Sequence, residues 1–308
     1  MDIRNRQGLK LEAKAALEAA QCDPKKLILV HTGASVTLAL ILALVDYLLE
    51  QQIGGTGGLS GVGTRAMLET AQTVLMLGQL VAVLFWQIGY TYVSLRLSRR
   101  QSVDYGSLLE GFRRFGVVLR LRLITGVLYC GIGFACVYVA SLIFSFTPLA
   151  QTVMQAFEVG TEEAMLAAMD QMMLPMMGIL LATMLVLLVP YYYRLRQADL
   201  SLMDDPGAGA LVALRKSRAL MRGNRLQLLK LDLSFWWFYA LELVTMLVAY
   251  GDILLPMFGV ALPWSDTVSF YVFLVLCYLC QLCLYWWRGN EVQVTYARFY
   301  QALLPQSE

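Results

Sequence analysis

The chain has 308 residues, of which 58% are hydrophobic and 15% are charged, and its mean hydropathy is +0.60. A soluble domain of this length carries more surface charge, so the composition excludes an ordinary soluble globular protein. The formal net charge of +2 says little by itself, because positive and negative residues are segregated along the chain.

Six segments are long and apolar enough to be membrane spans, since a helix needs about 20 apolar residues to cross the hydrocarbon core. A lone strand would leave backbone groups unpaired in lipid, so each segment is predicted to be a helix. In chain order they are Leu27–Leu49, Val74–Leu95, Leu123–Phe144, Met172–Tyr191, Leu233–Tyr250 and Val268–Trp287. The predicted fold is all-α: a polytopic membrane protein with six transmembrane helices in one domain, residues 1–308.

The basic residues predict the orientation of this domain. Of the 24 Lys and Arg residues, all but Arg65 fall in four clusters between alternate spans: Arg4–Lys26, Arg96–Arg122, Arg194–Lys230 and Arg288–Arg298. Lys and Arg near spans stay on the cytoplasmic side, so both termini are predicted to be cytoplasmic, with the protein in the inner or plasma membrane. The predicted parts are a cytoplasmic N-terminal segment 1–26, hairpins 27–95, 123–191 and 233–287, cytoplasmic loops 96–122 and 194–230, and a cytoplasmic tail 288–308.

The second cytoplasmic loop predicts an amphipathic helix. Asp205 suits its N-cap, Pro206 its first position, and Gly223-Asn224 its left-handed end. An apolar face at helical spacing contains Ala210, Ala213, Leu214, Ser217, Leu220 and Met221. The opposite, basic face contains Arg215, Lys216, Arg218 and Arg222. We expect this face to bind anionic lipid or a protein partner.

The first cytoplasmic loop has a similar plan and predicts a second amphipathic helix. Its apolar stripe consists of Tyr105, Leu108, Leu109, Phe112 and Phe115. The run Arg120-Leu121-Arg122 follows it at the start of the next span.

Several short motifs resemble an uncharacterised bacterial membrane family, catalogued as domain of unknown function 975. They are Leu108-Leu109-x-Gly111-Phe112, Pro190-Tyr191, Asp205-Pro206, Ser217-x-x-Leu220-Met221-x-Gly223-Asn224, Leu231-x-Leu233-Ser234-Phe235 and Thr295-Tyr296-Ala297-x-Phe299-Tyr300. The resemblance covers roughly residues 100–303 and is most specific between Ser217 and Phe235. It implies a membrane location and brings no activity, cofactor or substrate with it.

Glu242 is the sharpest candidate for intramembrane chemistry. It lies near the middle of the fifth predicted span, where a charged side chain costs about 2.5–3.5 kcal/mol on insertion scales. We expect it to be protonated, to face the helix bundle or to line a wet cavity, with Gln79, Gln87 and Gln281 as candidate partners. Two interpretations stay open: a neutral interhelical hydrogen bond, which we favour, and a proton- or ion-linked site. His31, the sole histidine, is expected to be structural.

Two sulfur patterns have spacings that a metal site could use. The first is a methionine stripe on one helix, Met165, Met169, Met172, Met173 and Met176, whose thioethers would suit Cu(I). The second is Cys277-x-x-Cys280-x-x-Cys283, which has iron–sulfur-like spacing. Packing is the preferred interpretation of both, so the sequence predicts no metal and no cofactor.

The sequence favours a non-enzymatic role, as a scaffold, partner-binding or envelope-associated factor with a basic, lipid-contacting cytoplasmic face. The alternative is a small-solute or ion transporter organised around Glu242. The expected partners are anionic membrane lipids, with a protein partner or a second copy of the chain also open. Nucleic acid is not expected, because the basic residues are not interleaved with exposed aromatic residues.

Overall fold

The computed structural model describes residues 5–55, 62–260, 262–263 and 265–305, and its regular secondary structure in those ranges is helical. The α-helices are α1 Arg6–Glu18, α2 Pro24–Gly55, α3 Val62–Ser98, α4 Glu110–Arg113, α5 Phe115–Ser145, α6 Pro148–Val159, α7 Glu162–Leu195, α8 Ala198–Asp204, α9 Gly209–Leu220, α10 Arg225–Leu233, α11 Trp236–Ala249, α12 Gly251–Met257, α13 Asp266–Leu284 and α14 Asn290–Leu303. A π-helical turn, Tyr285–Gly289, joins α13 to α14. The predicted all-α class is confirmed.

The predicted spans coincide with the longest apolar helices of the described ranges. Five stretches could cross a membrane by length and composition: Pro24–Leu49, Gly63–Ser98, Phe115–Ser145, Met165–Asp204 and Val268–Leu303. A sixth candidate is the pair α10 and α11, whose axes differ by 65° at a short break. The polytopic prediction is therefore confirmed, and the count of six holds if the bent pair is one span. The sidedness of the termini and loops stays a prediction.

The chain forms two compact units. Unit 1 comprises Met1–Val118 and Gln227–Glu308, and unit 2 comprises Leu119–Leu226. The predicted single membrane domain stays a prediction. In unit 1, a core of fully buried side chains joins α1, α2, α3 and α14 and includes Ala13, Ile28, Val93 and Val294.

An N-terminal helix, α1, was not predicted from the sequence. Its buried residues Leu9, Ala13 and Ala16 recur at helical spacing, and the helix packs against α14 and α3. The Nζ atom of Lys10 donates to the carbonyl oxygen of Ser234 at 2.8 Å and lies 3.8 Å from the centroid of the Phe235 ring. Burial lowers the pKa of Lys10 from its ordinary value, Glu291 opposes the shift and Arg6 adds to it. The lysine therefore binds a carbonyl group at the break between α10 and α11, where the helical ladder is interrupted.

Replacing Lys10 with methionine should destabilise unit 1 by about 1 kcal/mol, because the charged hydrogen bond and the cation–π contact are lost while the apolar stem is kept. Thermal unfolding in detergent would measure the change. Lys14→Met is the matched control, since Lys14 is exposed on the same helix. Equal effects of the two substitutions would contradict the assigned contact.

The segment between α3 and α5 packs unusually closely against α3. A Cβ atom on Gly89 would lie 1.8 Å from the carbonyl oxygen of Leu108, and a Cβ atom on Gly111 would lie 2.1 Å from that of Phe85. The backbones can approach this closely only because both positions are glycine. This contact gives a physical role to Gly111 in the Leu108–Phe112 motif.

This segment also differs from the single amphipathic helix predicted there. It consists of a 3₁₀ turn, Tyr105–Leu109, followed by the four-residue α4. Ser107 donates its hydroxyl to Asp104 and thereby lowers the pKa of that carboxyl group, and the close contacts with α3 fix the backbone on the other side. Of the predicted stripe, Leu108 is buried, whereas the other residues are exposed: Tyr105, Leu109, Phe112 and Phe115.

A buried polar network joins three helices of unit 1. The hydroxyl group of Tyr90 on α3 donates to the side-chain oxygen of Asn290 at the start of α14. The side-chain nitrogen of Asn290 donates to the carbonyl oxygen of Pro24, at the start of α2, at 2.7 Å. Tyr90 and Asn290 keep 4% and 7% of their surface exposed, so solvent cannot replace these bonds.

Unit 2 contains the long helices α5 and α7 and the shorter helices α6, α8 and α9. Cys136 on α5 lies 3.9 Å from the carbonyl oxygen of Thr183 on α7, and the rings of Tyr129 and Tyr191 meet edge to face. An ion pair of 3.1 Å between Arg122 and Asp199 joins α5 to α8.

The amphipathic helix predicted in the second loop is α9, but it begins later in the chain than predicted. Pro206–Ala208 form a 3₁₀ turn, Asp205 makes no side-chain capping bond, and the α-helix begins at Gly209. A positive φ of 79° at Gly209 separates the turn from the helix. The predicted apolar face is confirmed: Ala210, Ala213, Leu214, Ser217 and Met221 are buried, and Leu220 is partly buried.

Candidate functional site

A pocket in unit 2 is lined by four arginines. It has a volume of about 230 Å³ and is formed by Arg194, Arg218, Ala219, Arg222 and Arg225; we call it the arginine pocket. Arg194 lies in the last turn of α7 and Arg218 in the last turn of α9, Arg222 follows α9, and Arg225 begins α10. Three segments of the chain thus bring positive charge to one concave surface.

Local backbone chemistry explains how these segments meet. The hydroxyl group of Ser217 donates to the carbonyl oxygen of Arg194 at 3.1 Å, which fixes α9 against the end of α7. Gly223 has a φ of 82°, and the side-chain nitrogen of Asn224 donates to the carbonyl oxygen of Leu220 at 2.9 Å. The left-handed glycine and this cap end α9 as predicted, and they turn the chain into α10. The Ser217–Asn224 motif therefore builds the arginine pocket.

The charge of the arginine pocket is not neutralised within the described part of the chain. Other basic residues of unit 2 form ion pairs: Arg122 pairs with Asp199 at 3.1 Å, and Lys216 with Asp204 at 3.2 Å. Among the described residues, no carboxylate pairs with any of the four pocket arginines. The Nε atom of Arg218 is buried and has no hydrogen-bond partner there. Four adjacent guanidinium groups repel one another, so the pocket favours an anion.

The four residues of the predicted basic face of α9 do not all lie at one site. Arg218 and Arg222 line the arginine pocket, whereas Arg215 is exposed elsewhere and Lys216 is paired with Asp204. The prediction missed Arg194 and Arg225, which come from neighbouring segments. The turn signal Gly223-Asn224, just before Arg225, could have indicated that the chain folds back at this point.

Glu242 has a hydrogen-bond partner that the sequence did not suggest. The hydroxyl group of Tyr285 donates to its Oε1 atom at 2.8 Å, and Glu242 is partly buried on α11. In the described structure none of the predicted glutamine partners donates to Glu242. Gln87 and Gln281 instead line one cavity with Tyr285, and Gln79 lines a neighbouring cavity. Whether Glu242 is structural or functional stays open.

The first of these cavities lies between α2, α3 and the end of α13, and we call it the histidine cavity. Its volume is about 280 Å³, and its lining includes His31, Thr32, Gln87 and Gln281. The ring of His31 stacks on Trp86 at 5.6 Å between centroids, and on the Tyr90 ring at 4.5 Å. Stacking supports the structural role expected of His31 and holds its ring at the cavity wall.

The second cavity lies between the same helices, further along them, and we call it the aspartate cavity. Its volume is about 460 Å³, and its lining includes Asp46, Glu69, Gln72 and Gln79. Glu69 forms an ion pair of 2.8 Å with Arg65, one turn earlier on α3.

The sulfur-bearing residues of the two patterns differ in their exposure. Met169 and Met173 are exposed, whereas the other members of the stripe, Met165, Met172 and Met176, are partly buried. Cys277 is buried, Cys280 partly buried and Cys283 exposed. Within the described ranges no group of three His, Cys, Asp or Glu side chains could hold a metal ion. The packing interpretation of both patterns stays a prediction.

Comparison with known proteins gives one match. Neither curated proteins nor solved structures match the chain. A family model matches residues 1–307, a longer stretch than the 100–303 over which the motifs were recognised. The chain therefore belongs to the family described as Protein of unknown function (DUF975).

Proposed function

We propose that this chain is a non-enzymatic, lipid-binding protein of the bacterial plasma membrane that holds phosphate-bearing head groups of anionic lipids in the arginine pocket. The observation that carries the proposal is the convergence of Arg194, Arg218, Arg222 and Arg225 on one pocket without a neutralising carboxylate in the described part of the chain. Guanidinium groups match the geometry of phosphate oxygens and bind them by paired hydrogen bonds.

The helix ends at the pocket support an anionic ligand. Arg218 lies at the C-terminus of α9, where a helix favours positive charge, but Arg225 lies at the N-terminus of α10, where a helix disfavours it. A bound phosphate at that N-terminus would interact favourably with both the helix end and Arg225.

The surroundings of the pocket support a lipid source for this phosphate. Arg194 lies in the last turn of the apolar α7, directly after Tyr191–Tyr193, a position typical of the membrane surface. Leu211 and Leu226, on the segments that form the pocket, are exposed apolar side chains that would suit a lipid tail. Because Lys and Arg are clustered between alternate spans, the proposal places the basic face and both termini on the cytoplasmic side.

Substituting three pocket arginines should weaken binding of anionic lipid roughly 100-fold or more, since a hydrogen bond from a guanidinium group to a charged phosphate oxygen contributes about 1.5–3 kcal/mol. The test compares wild type with Arg218→Gln/Arg222→Gln/Arg225→Gln in nanodiscs containing phosphatidylcholine with phosphatidylglycerol or phosphatidic acid. Native mass spectrometry would count the lipids that stay bound.

The matched control removes the same charge from exposed positions outside the pocket, as Lys14→Gln/Arg120→Gln/Arg215→Gln. Equal losses in both triple variants would refute a specific pocket. Titration with inorganic phosphate in phosphatidylcholine nanodiscs separates the two sources of phosphate, and tighter binding of free phosphate than of lipid would contradict the lipid assignment.

A further inference from the structure

The histidine cavity contains polar groups that the protein itself leaves unsatisfied. The Nδ1 atom of His31 and the hydroxyl group of Thr32 are buried and have no hydrogen-bond partner among the described residues. Thr32 keeps 9% of its surface exposed. The side-chain amides of Gln87, Gln281 and Gln293 also line the cavity and make no hydrogen bond within the described part of the chain. Unpaired polar groups inside a membrane protein are costly, so the contents of this cavity are polar.

The lining of the histidine cavity is also uncharged. No Asp, Glu, Lys or Arg is among the described residues that form it. An ion inside would have no charged side chain in the lining to balance it, since the Glu242 carboxylate accepts the Tyr285 hydroxyl group from outside the lining, and this disfavours charged contents in a low-dielectric interior. Glutamine amides and hydroxyl groups both donate and accept hydrogen bonds, so the lining suits neutral solutes that do the same. The volume of about 280 Å³ equals that of about nine water molecules at ~30 Å³ each, which limits the solute to a small molecule.

The histidine and aspartate cavities lie end to end along the same three helices. On α2, Ser35 lines the first cavity and Ala39 the second; on α3, Val83 lines the first and Gln79 the second. Gln281 and Tyr278 divide α13 in the same way. A single helical turn therefore separates the two cavities on each helix.

Together the cavities extend over the thickness of a membrane. On α3, the lining runs from Glu69 to Thr91, which are 22 residues apart. This corresponds to about 33 Å along a helix at ~1.5 Å per residue, close to the ~30 Å thickness of the hydrocarbon core.

We propose that the two cavities form a path through unit 1 for small, uncharged solutes bearing hydroxyl or amide groups. Asp46 at the end formed by the aspartate cavity repels anions, while Glu69 there is neutralised by Arg65, and the uncharged histidine cavity excludes ions of both signs. His31, Thr32 and the three glutamines supply hydrogen bonds in place of water. The site lies in a different unit from the arginine pocket, so it stands independently of lipid binding.

The test is solute entry into proteoliposomes, with glycerol and urea as probes. After a step in solute concentration, stopped-flow light scattering reports reswelling as the solute enters. Vesicles with the wild-type protein should reswell at least five times faster than vesicles without protein. Thr32→Val/Gln281→Leu should bring the rate to within twofold of protein-free vesicles, because two polar positions of the path become apolar.

The matched control is Thr183→Val/Gln171→Leu in unit 2, which makes the same chemical changes outside both cavities and should keep the wild-type rate. Gln87→Leu is a second variant for the event that Thr32→Val/Gln281→Leu fails to fold, since Gln87 is exposed at the edge of the cavity. Reswelling no faster than in protein-free vesicles would overturn the proposal. So would equal rates in the wild type and in the folded cavity variants, or potassium flux that depends on the same residues.

Discussion

Replacing Gly89 with alanine should destabilise the protein by about 3 kcal/mol, which is among the larger costs of overpacking. The added methyl carbon would lie 1.8 Å from the carbonyl oxygen of Leu108, so α3 and the Tyr105–Leu109 turn would have to separate. Gly111→Ala should have an effect of similar size, because its Cβ atom would meet the carbonyl oxygen of Phe85. Reversible unfolding in mixed detergent micelles would measure both free energies.

Gly78 provides the control within the same helix. A Cβ atom there meets nothing within 4 Å, so Gly78→Ala should not lower stability. If Gly89→Ala and Gly78→Ala unfolded at the same denaturant concentration, the close approach of the backbones described above would be wrong.

Asn290→Leu should destabilise the protein by roughly 3 kcal/mol. The substitution keeps the branched skeleton of the side chain but leaves the hydroxyl group of Tyr90 and the carbonyl oxygen of Pro24 without their bonds to residue 290. A buried polar group without a partner costs about 1–3 kcal/mol, as the Tyr90 hydroxyl group would here, and the lost bond to Pro24 adds about 1 kcal/mol. Equilibrium unfolding, followed by tryptophan fluorescence, would measure the loss.

A double substitution separates this effect from a general packing defect. Tyr90→Phe/Asn290→Leu removes the stranded hydroxyl group and should be more stable than Asn290→Leu alone by about 1 kcal/mol. A double variant as unstable as Asn290→Leu would show that the hydrogen bond between the two side chains is not the source of the loss.

The membrane spans could be predicted because long apolar runs have one stable form in lipid, and composition alone identifies them. The end of α9 could be predicted equally well, because Gly223 and Asn224 end a helix through local backbone conformation and hydrogen bonding. α1 was missed although Leu9, Ala13 and Ala16 recur at helical spacing, because two of its three buried residues are alanines in a polar segment.

Only part of each candidate site could be predicted, because the remaining residues are brought together by tertiary structure. Arg218 and Arg222 lie four residues apart, so a helix places them on one face, but Arg194 joins them only through the packing of α7 against α9, and Arg225 only through the turn at Gly223 and Asn224. The pairing of Glu242 with Tyr285 depends on how α11 and α13 are rotated against each other, which no local pattern records.

The packing of α1 against α14 joins two helices that are far apart in the sequence. Contacts of such large sequence separation form slowly, because everything between the two helices must first be inserted. Until α14 leaves the ribosome, Leu9 and Ala13 have no cover from it, and Lys10 can bind at the α10–α11 break only once α11 has been synthesised. A nascent chain arrested before Asn290 would therefore expose α1 to chaperones and proteases, and synthesis of α14 would end that exposure.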